Sequence, residues 1–137
     1  MNIKNWIKLY LRISLGVGFL SACADRFGFW AQQYSAWGDW NHFIQYTATL
    51  NPWFPHSFIQ PLGIIATSAE IIFGLALIVG FKLKWVAPLS GLLLLVFAVS
   101  MTFSTGIKTA LDASVYSASA GAFLLGTLSG RFLEIKK

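Results

Sequence analysis

Four long apolar stretches, divided by two short connections and one long one, dominate the pattern of hydrophobic and polar positions. Each stretch approaches the roughly 20 apolar residues that a helix needs to cross the hydrocarbon core of a bilayer. The predicted spans are residues 8–24, 61–80, 85–105 and 113–130. The sequence therefore predicts an all-α fold, a four-helix transmembrane bundle that forms one integral membrane domain over residues 1–137.

The connection between the first two spans, residues 25–60, is too long for a simple turn. Asp39 is a predicted N-cap, and apolar residues follow it at helical spacing until Asn51 and Pro52. This pattern predicts a short amphipathic helix at the outer interface of the membrane. The segment is also rich in aromatic residues, namely Phe27, Phe29, Trp30, Tyr34, Trp37, Trp40, Phe43, Tyr46, Trp53, Phe54 and Phe58. Two interpretations stay open: an aromatic belt at headgroup depth, or a lid over a lipophilic ligand.

Composition supports a membrane protein and excludes an ordinary soluble domain. Hydrophobic residues make up 56% of the chain and charged residues only 11%, with a mean hydropathy of +0.65. A soluble domain of this length needs far more charge to cover its surface.

The net charge of +5 is distributed unevenly along the chain. The basic residues of the termini and of the connection between the second and third spans are Lys4, Lys8, Lys82, Lys84, Arg131, Lys136 and Lys137. Only Arg26 and Lys108 lie in the other two connections. This asymmetry predicts a bacterial inner-membrane protein with both termini in the cytoplasm. The excess of basic residues then reflects the orientation of the protein in the membrane, and we expect no nucleic-acid partner.

Cys23, the only cysteine, ends a lipobox-like string that begins at Leu20. Cleavage before this residue would remove the first span, but Arg12 interrupts the apolar core of such a signal, so we favour a retained helix. A single cysteine excludes an internal disulfide and a dithiol redox pair.

Glu70 is the main candidate for chemistry because it lies in the middle of the second span. A charged side chain at that depth costs roughly 3 kcal/mol and is usually kept for a partner, a ligand or a proton. It shares one helix face with Gly63, Thr67 and Gly74. Arg12 lies on a comparable face of the first span, with Gly16, Phe19 and Cys23. Our hypothesis is that Arg12 pairs with Glu70, directly or through a water or ligand, as a structural salt bridge or as the polar centre of a catalytic or binding site.

The residues expected to bind a ligand around this polar centre are Arg26, Trp40, His42, Tyr46, His56 and Thr67. The two histidines have no metal-ligand spacing, so no metal site is predicted. No nucleophile elbow, phosphate loop or dinucleotide fingerprint is present, which leaves open whether the chain is an enzyme.

The chain resembles the DoxX family of small four-helix membrane proteins. The likeness lies in Leu11, Arg12, Leu15, Gly16, Gly18, Phe19 and Leu20, then Ala24 to Gly28, then Tyr46, Thr47, Leu50, Asn51, Pro52, Thr67, Glu70, Gly74, Leu77, Gly80 and Trp85. It implies a membrane protein of redox systems, such as the small subunit of a thiosulfate:quinone oxidoreductase, with Arg12, Arg26 and Glu70 at the recurrent polar positions.

These observations predict a membrane-embedded subunit or accessory protein of a quinone-linked redox system, in contact with membrane lipids and a redox partner subunit. The cofactor would be a bound quinone, whose accompanying proton Glu70 could transfer. A lipid-binding or scaffolding protein is the alternative from another class, and a small proton-coupled transporter is the third. The choice between a homo-oligomer and a hetero-complex stays open.

Overall fold

The computed structural model describes residues 2–128 and 133–134, and these contain helices and no strand. The helices are α1 (Ile3–Arg26), α2 (Trp40–Leu50), α3 (Ile59–Val79), α4 (Leu83–Ser104), α5 (Ile107–Asp112) and α6 (Val115–Thr127), with a single 3₁₀ turn, His56–Phe58, before α3. Helices α1, α3 and α4 are long and apolar enough to cross a membrane. The prediction of an all-helical, multi-pass membrane protein is therefore confirmed at this level.

The fourth predicted span corresponds to α6, which has 13 residues and is shorter than expected. Residues 107–112, predicted as part of a connection, form the separate helix α5. Ser114 has a φ of +58°, and this left-handed conformation separates α5 from α6. The end of the predicted span, residues 129–130, lies outside the described residues. The four-span arrangement accordingly stays a prediction.

Helices α1 and α3 pack closely, because glycines face each other where they cross. A Cβ atom added to Gly16 would lie 2.8 Å from the carbonyl oxygen of Gly74 and 2.6 Å from Cγ1 of Ile78. A Cβ atom on Gly74 would lie 3.1 Å from the carbonyl oxygen of Gly16. Small residues allow backbones to approach in this way inside a membrane. Gly16 and Gly74, from the two faces noted in the sequence, therefore meet in the contact between α1 and α3, whereas Gly63 of the same face contacts α2.

Helix α4 packs most extensively on α6. The buried hydroxyl of Ser119 donates a 2.7 Å hydrogen bond to the carbonyl oxygen of Gly91, and Gly126 faces the ring of Pro88. The described helices thus form two closely packed pairs, α1 with α3 and α4 with α6. Helix α2 contacts α1, α3 and α4 at one end of these pairs.

The predicted helix after Asp39 is confirmed as α2. The Asp39 side chain accepts a 2.9 Å hydrogen bond from the backbone N–H of His42, and the helix ends at Leu50 with Asn51 as its C-cap. That backbone hydrogen bond lowers the pKa of Asp39, with a smaller contribution from the His42 side chain. The location of α2 at the membrane interface stays a prediction.

Candidate functional site

The carboxylate of Glu70 forms a buried salt bridge with Arg26. Oε2 of Glu70 accepts a hydrogen bond from Nη1 of Arg26, and each side chain is only 4% exposed. The same Nη1 donates a 2.8 Å hydrogen bond to the hydroxyl of Thr67. Sγ of Cys23 lies 3.9 Å from Oε2 of Glu70 and 3.8 Å from Nη1 of Arg26. The last turn of α1 and the middle of α3 together form this polar cluster.

Two aromatic rings of the long connection, residues 25–60, cover the guanidinium. Cζ of Arg26 lies 3.9 Å from the ring centroid of Phe43 and 5.2 Å from that of Trp37. Both distances are within the range of cation–π attraction, which strengthens where water is excluded. Trp37 and Phe43 also pack edge to face, with centroids 5.2 Å apart. The charged pair is therefore enclosed by rings that the long connection supplies.

A cavity of about 440 Å³ adjoins the salt bridge. It lies between the two helix pairs, with α2 forming part of its wall, and its lining is mostly apolar. Its residues are Ala22, Arg26, Trp37, Phe43, Tyr46, Thr47, Leu50, Asn51, Leu62, Ile65, Ala66, Glu70, Leu93, Leu94, Val96, Phe97, Ser100, Met101, Ala113 and Val115. Ile65 of α3 and Val96 of α4 are 66% and 52% exposed. The cavity therefore opens at the lipid-facing surface of the bundle, between α3 and α4.

The hypothesis that Arg12 pairs with Glu70 is wrong. Arg12 is fully buried, but its guanidinium donates to the carbonyl oxygens of Leu77 (3.1 Å) and Ile78 (2.9 Å) at the end of α3. It also donates to the carbonyl oxygen of Leu133, at 2.8 Å. The last carbonyls of a helix have no partner within it, and a cation at that end is favourable.

The physical reason for the different pairing is the register of α1 against α3. The two helices are antiparallel, and Gly16 meets Gly74 while Sγ of Cys23 approaches the carbonyl oxygen of Thr67 at 3.8 Å. In this register Glu70 lies level with residue 20 of α1. Arg12 is eight residues away from that level, about 12 Å along the axis. Arg26 is closer and reaches back along the helix to Glu70.

The other residues predicted to bind a ligand divide into two groups. Arg26 and Tyr46 line the cavity, and Thr67 holds the Arg26 guanidinium. Burial raises the pKa of the Tyr46 hydroxyl. Trp40 instead packs on Phe27 and Phe43, outside the cavity lining.

The two histidines are exposed and lie outside the cavity lining as well. His42 contacts Asp39 at 2.8 Å, and His56 belongs to the 3₁₀ turn before α3. Within the described residues no group of His, Cys, Asp and Glu side chains is placed to hold a metal ion.

The sequence did not single out the α4 wall of the cavity or the role of Trp37. The α4 residues Leu93, Leu94 and Phe97 belong to a uniformly apolar stretch, where no polar residue marks one face for a ligand. Trp37 is one of many aromatic residues in the long connection. Its position depends on Asp25, which the sequence showed only as a polar residue at the end of the first span.

Asp25 fixes the loop that carries Trp37. Its carboxylate accepts hydrogen bonds from the Ser35 hydroxyl and from the backbone N–H groups of Ala36 (2.7 Å), Trp37 (3.2 Å) and Gly38 (3.2 Å). The Asp25 side chain is buried at the end of α1, directly before Arg26. The last turn of α1 therefore supplies both Arg26, the cation of the salt bridge, and Asp25, which holds the loop whose Trp37 covers it.

Replacement of Asp25 by asparagine is expected to loosen this cover and expose Cys23 to water-soluble reagents. Hydrogen bonds to a charged acceptor contribute roughly 1.5–3 kcal/mol, so the open population should rise by about tenfold or more. Cys23 is buried beside the salt bridge and is the only thiol, so its labelling rate by a cationic methanethiosulfonate reports the opening. The exposed acid Asp112 gives a matched control, Asp112→Asn, which should label as slowly as wild type. Equal rates for Asp25→Asn and wild type would show that the carboxylate does not hold the cover.

Comparison with known proteins identifies the family of the chain and corrects the predicted one. The family model described as methylamine utilisation protein MauE matches residues 4–114, which include α2 to α5 and all of α1 except its first residue. No curated protein and no solved structure gives a significant match. The predicted membership of the DoxX family is wrong, because the family model that matches is a different one. The match over most of its length shows that the chain belongs to the family of methylamine utilisation protein MauE.

Proposed function

We propose that this chain is a membrane-embedded accessory protein of a methylamine-utilisation redox system, and that it binds a lipophilic ligand in the cavity beside Arg26 and Glu70. The observation that carries the proposal is a buried salt bridge in the wall of an apolar cavity that opens between α3 and α4. The family description indicates the methylamine-utilisation system. The residues around the cavity indicate the ligand-binding site.

The salt bridge is better explained by a ligand than by stability alone. Well-packed apolar residues usually stabilise a fold as much as a buried ion pair does, because the charges lose their hydration. Intramembrane charges accordingly tend to mark functional sites. A volume of about 440 Å³ lies within the ordinary range for small-molecule pockets. A small number of polar groups in an apolar pocket is enough to orient a lipophilic ligand.

Within this function we propose a quinone as the ligand. Its ring would lie near Arg26 and Glu70, and its apolar tail would leave through the opening beside Ile65 and Val96. Reduction of a quinone to a quinol takes two electrons and two protons. The electrons would come from a redox partner subunit and both protons from water, and the Glu70 carboxylate would take up each proton in turn and pass it to the bound ring. The single cysteine cannot supply a dithiol for this reduction.

The test is mass spectrometry of the lipophilic molecules that the gently purified protein retains. A quinone enriched over the membrane background, near one per chain, and lost in Glu70→Gln, is the expected result. Asp112→Asn, which removes an exposed acid, should retain the ligand. Absence of any enriched lipophilic molecule in the wild type would contradict the proposal.

A lipid-binding or scaffolding role is the second candidate, and the shape of the cavity favours it specifically. The mostly apolar lining and the lateral opening would also accept an acyl chain, without any transfer of electrons. Retention of one lipid species without quinone, in the same measurement, would support this second function.

For the membrane orientation we propose that both termini face the cytoplasm of a bacterial inner membrane. Lys82 is the N-cap of α4 and Lys84 lies in its first turn, and Lys8 pairs with Glu134 at 2.9 Å near that end of the bundle. In a Cys23→Ser background, we expect Lys82→Cys to label from the cytoplasmic side and Lys108→Cys from the outer side of intact cells and inverted vesicles. The reverse pattern would invert the orientation.

A further inference from the structure

The hydrogen bonding of Arg26 is incomplete in the described structure. Nη1 makes all the hydrogen bonds of the guanidinium, to Thr67, Glu70 and Cys23. Nε is buried without a partner among the described residues. Nη2 makes no hydrogen bond there either, but it is not fully buried. Oε1 of Glu70 likewise accepts no hydrogen bond from the described part of the chain. Buried donors without partners are rare in folded proteins and unfavourable. Nη2 is therefore an accessible donor without an acceptor on a residue that lines the cavity, and a ligand there can supply that acceptor.

The charge of the site is balanced before any ligand binds. Among the described residues, Arg26 and Glu70 are the only charged ones in the cavity lining, and their charges cancel. The remaining polar residues of the lining are neutral, and two of them already bond to the backbone of α2. The hydroxyl of Thr47 donates to the carbonyl oxygen of Phe43 at 2.9 Å, and the amide of Asn51 donates to that of Thr47 at 3.0 Å.

A balanced pair discriminates between classes of head group. An anionic head group would bring a second negative charge close to Glu70 and would lose its hydration in an apolar cavity. A cationic head group would bring a second positive charge close to Arg26 and would likewise lose its hydration. An uncharged carbonyl, ester or sulfonyl oxygen can accept a hydrogen bond from Arg26 and leave the salt bridge intact.

We infer that the cavity selects amphiphiles whose head group is uncharged and carries a hydrogen-bond acceptor, and that Glu70 sets this preference by neutralising Arg26. The inference rests on the proposed function, since it names the class of ligand for the same site. Quinones and esters belong to this class. Fatty acids and anionic phospholipids do not.

Two probes that differ in charge test the inference: methyl dodecyl sulfone, which is neutral, and dodecanesulfonate, which is permanently anionic. Both have an apolar chain of the same length and sulfonyl oxygens as acceptors. Binding of each radiolabelled probe would be measured for the full chain in phosphatidylcholine nanodiscs, below micellar concentrations, in excess of empty nanodiscs. We expect the wild type to bind the sulfone about tenfold more tightly than the sulfonate.

In Glu70→Gln the site carries one net positive charge, so the preference should reverse in favour of the sulfonate by about tenfold. Asp112→Asn removes an exposed acid outside the cavity lining and should keep the wild-type ratio. Arg26→Gln offers a second charge variant that should exclude the sulfonate more strongly than the wild type does. Circular dichroism and gel filtration would establish that each variant is folded.

Equal affinity of the wild type for both probes, or preference for the sulfonate, would overturn the inference and leave the binding of a lipophilic ligand intact. An unchanged ratio in a folded Glu70→Gln would overturn the role of Glu70. If neither probe binds and the purified protein retains no lipophilic molecule, the proposed function fails as well. Failure of the inference can therefore be distinguished from failure of the proposed function. The ratio of the wild type's affinities for the two probes tests the inference even if a variant does not fold.

Discussion

Replacement of Arg26 by methionine is expected to destabilise the folded chain by about 3–5 kcal/mol, because it leaves the Glu70 carboxylate buried without its cation. Methionine keeps much of the apolar stem, so the change removes mainly the charge and the hydrogen bonds. The lost partners include the Thr67 hydroxyl and the rings of Phe43 and Trp37. The free energy of unfolding would be measured by titration with a denaturing detergent in mixed micelles.

A double-mutant cycle distinguishes loss of the Arg26–Glu70 interaction from other causes of lower stability. Arg26→Met combined with Glu70→Leu should recover most of the lost stability, since no buried charge is left unpaired. The matched control is Lys108→Met with Asp112→Leu, because that pair is 86% and 64% exposed and should show a coupling energy below about 1 kcal/mol. A strong coupling of Glu70 to Arg12, with none to Arg26, would contradict the pairing described above.

Replacement of Gly16 by leucine is expected to be the second large effect, a loss of about 3 kcal/mol or failure to fold. Its first added carbon would lie 2.6 Å from Cγ1 of Ile78 and 2.8 Å from the backbone oxygen of Gly74. The Ile78 side chain can turn away, but the backbone of α3 cannot move without separating the two helices. The measurement is the same unfolding titration.

Gly18→Leu is the matched control on the same helix. A Cβ atom at Gly18 meets nothing within 4 Å, so the added side chain points into open space. Both substitutions remove a helix-weakening glycine, and any gain in helix propensity is common to the two. The difference between them therefore measures the clash with α3. Equal stability of the two variants would show that the close contact of α1 with α3 does not form.

Much of the fold follows from local pattern. The helices α1, α3 and α4 are continuous apolar stretches, and length with hydropathy is enough to predict them. Asp39 and Asn51 bound α2 because capping depends on residues within one turn. The short α6 was harder to predict, since its separation from α5 depends on a left-handed Ser114, a residue type that rarely adopts this conformation.

The candidate site was only half predictable. Glu70 was identified as its centre because a charge within an apolar stretch is a signal of its own. The cation was misassigned to Arg12 because the register of α1 against α3 cannot be predicted from local pattern. The cavity wall on α4 was missed because it depends on which helices lie side by side. The resemblance to the DoxX family rested on scattered residues, including Arg12, Arg26 and Glu70, and the match to the MauE family replaced it.

The sequence by itself determined the class of the protein, the faces of α1 and α3 that meet, and the presence of a buried carboxylate, because each depends on residues within a few turns of one another. Only the tertiary structure decided the partner of Glu70. A periodic pattern of small residues specifies which face of a helix is buried, but not the register along its axis. The contact of Gly16 with Gly74 sets that register and places Arg12 at the end of α3. The loop held by Asp25 then closes over Arg26, and this long-range contact has no counterpart in local sequence.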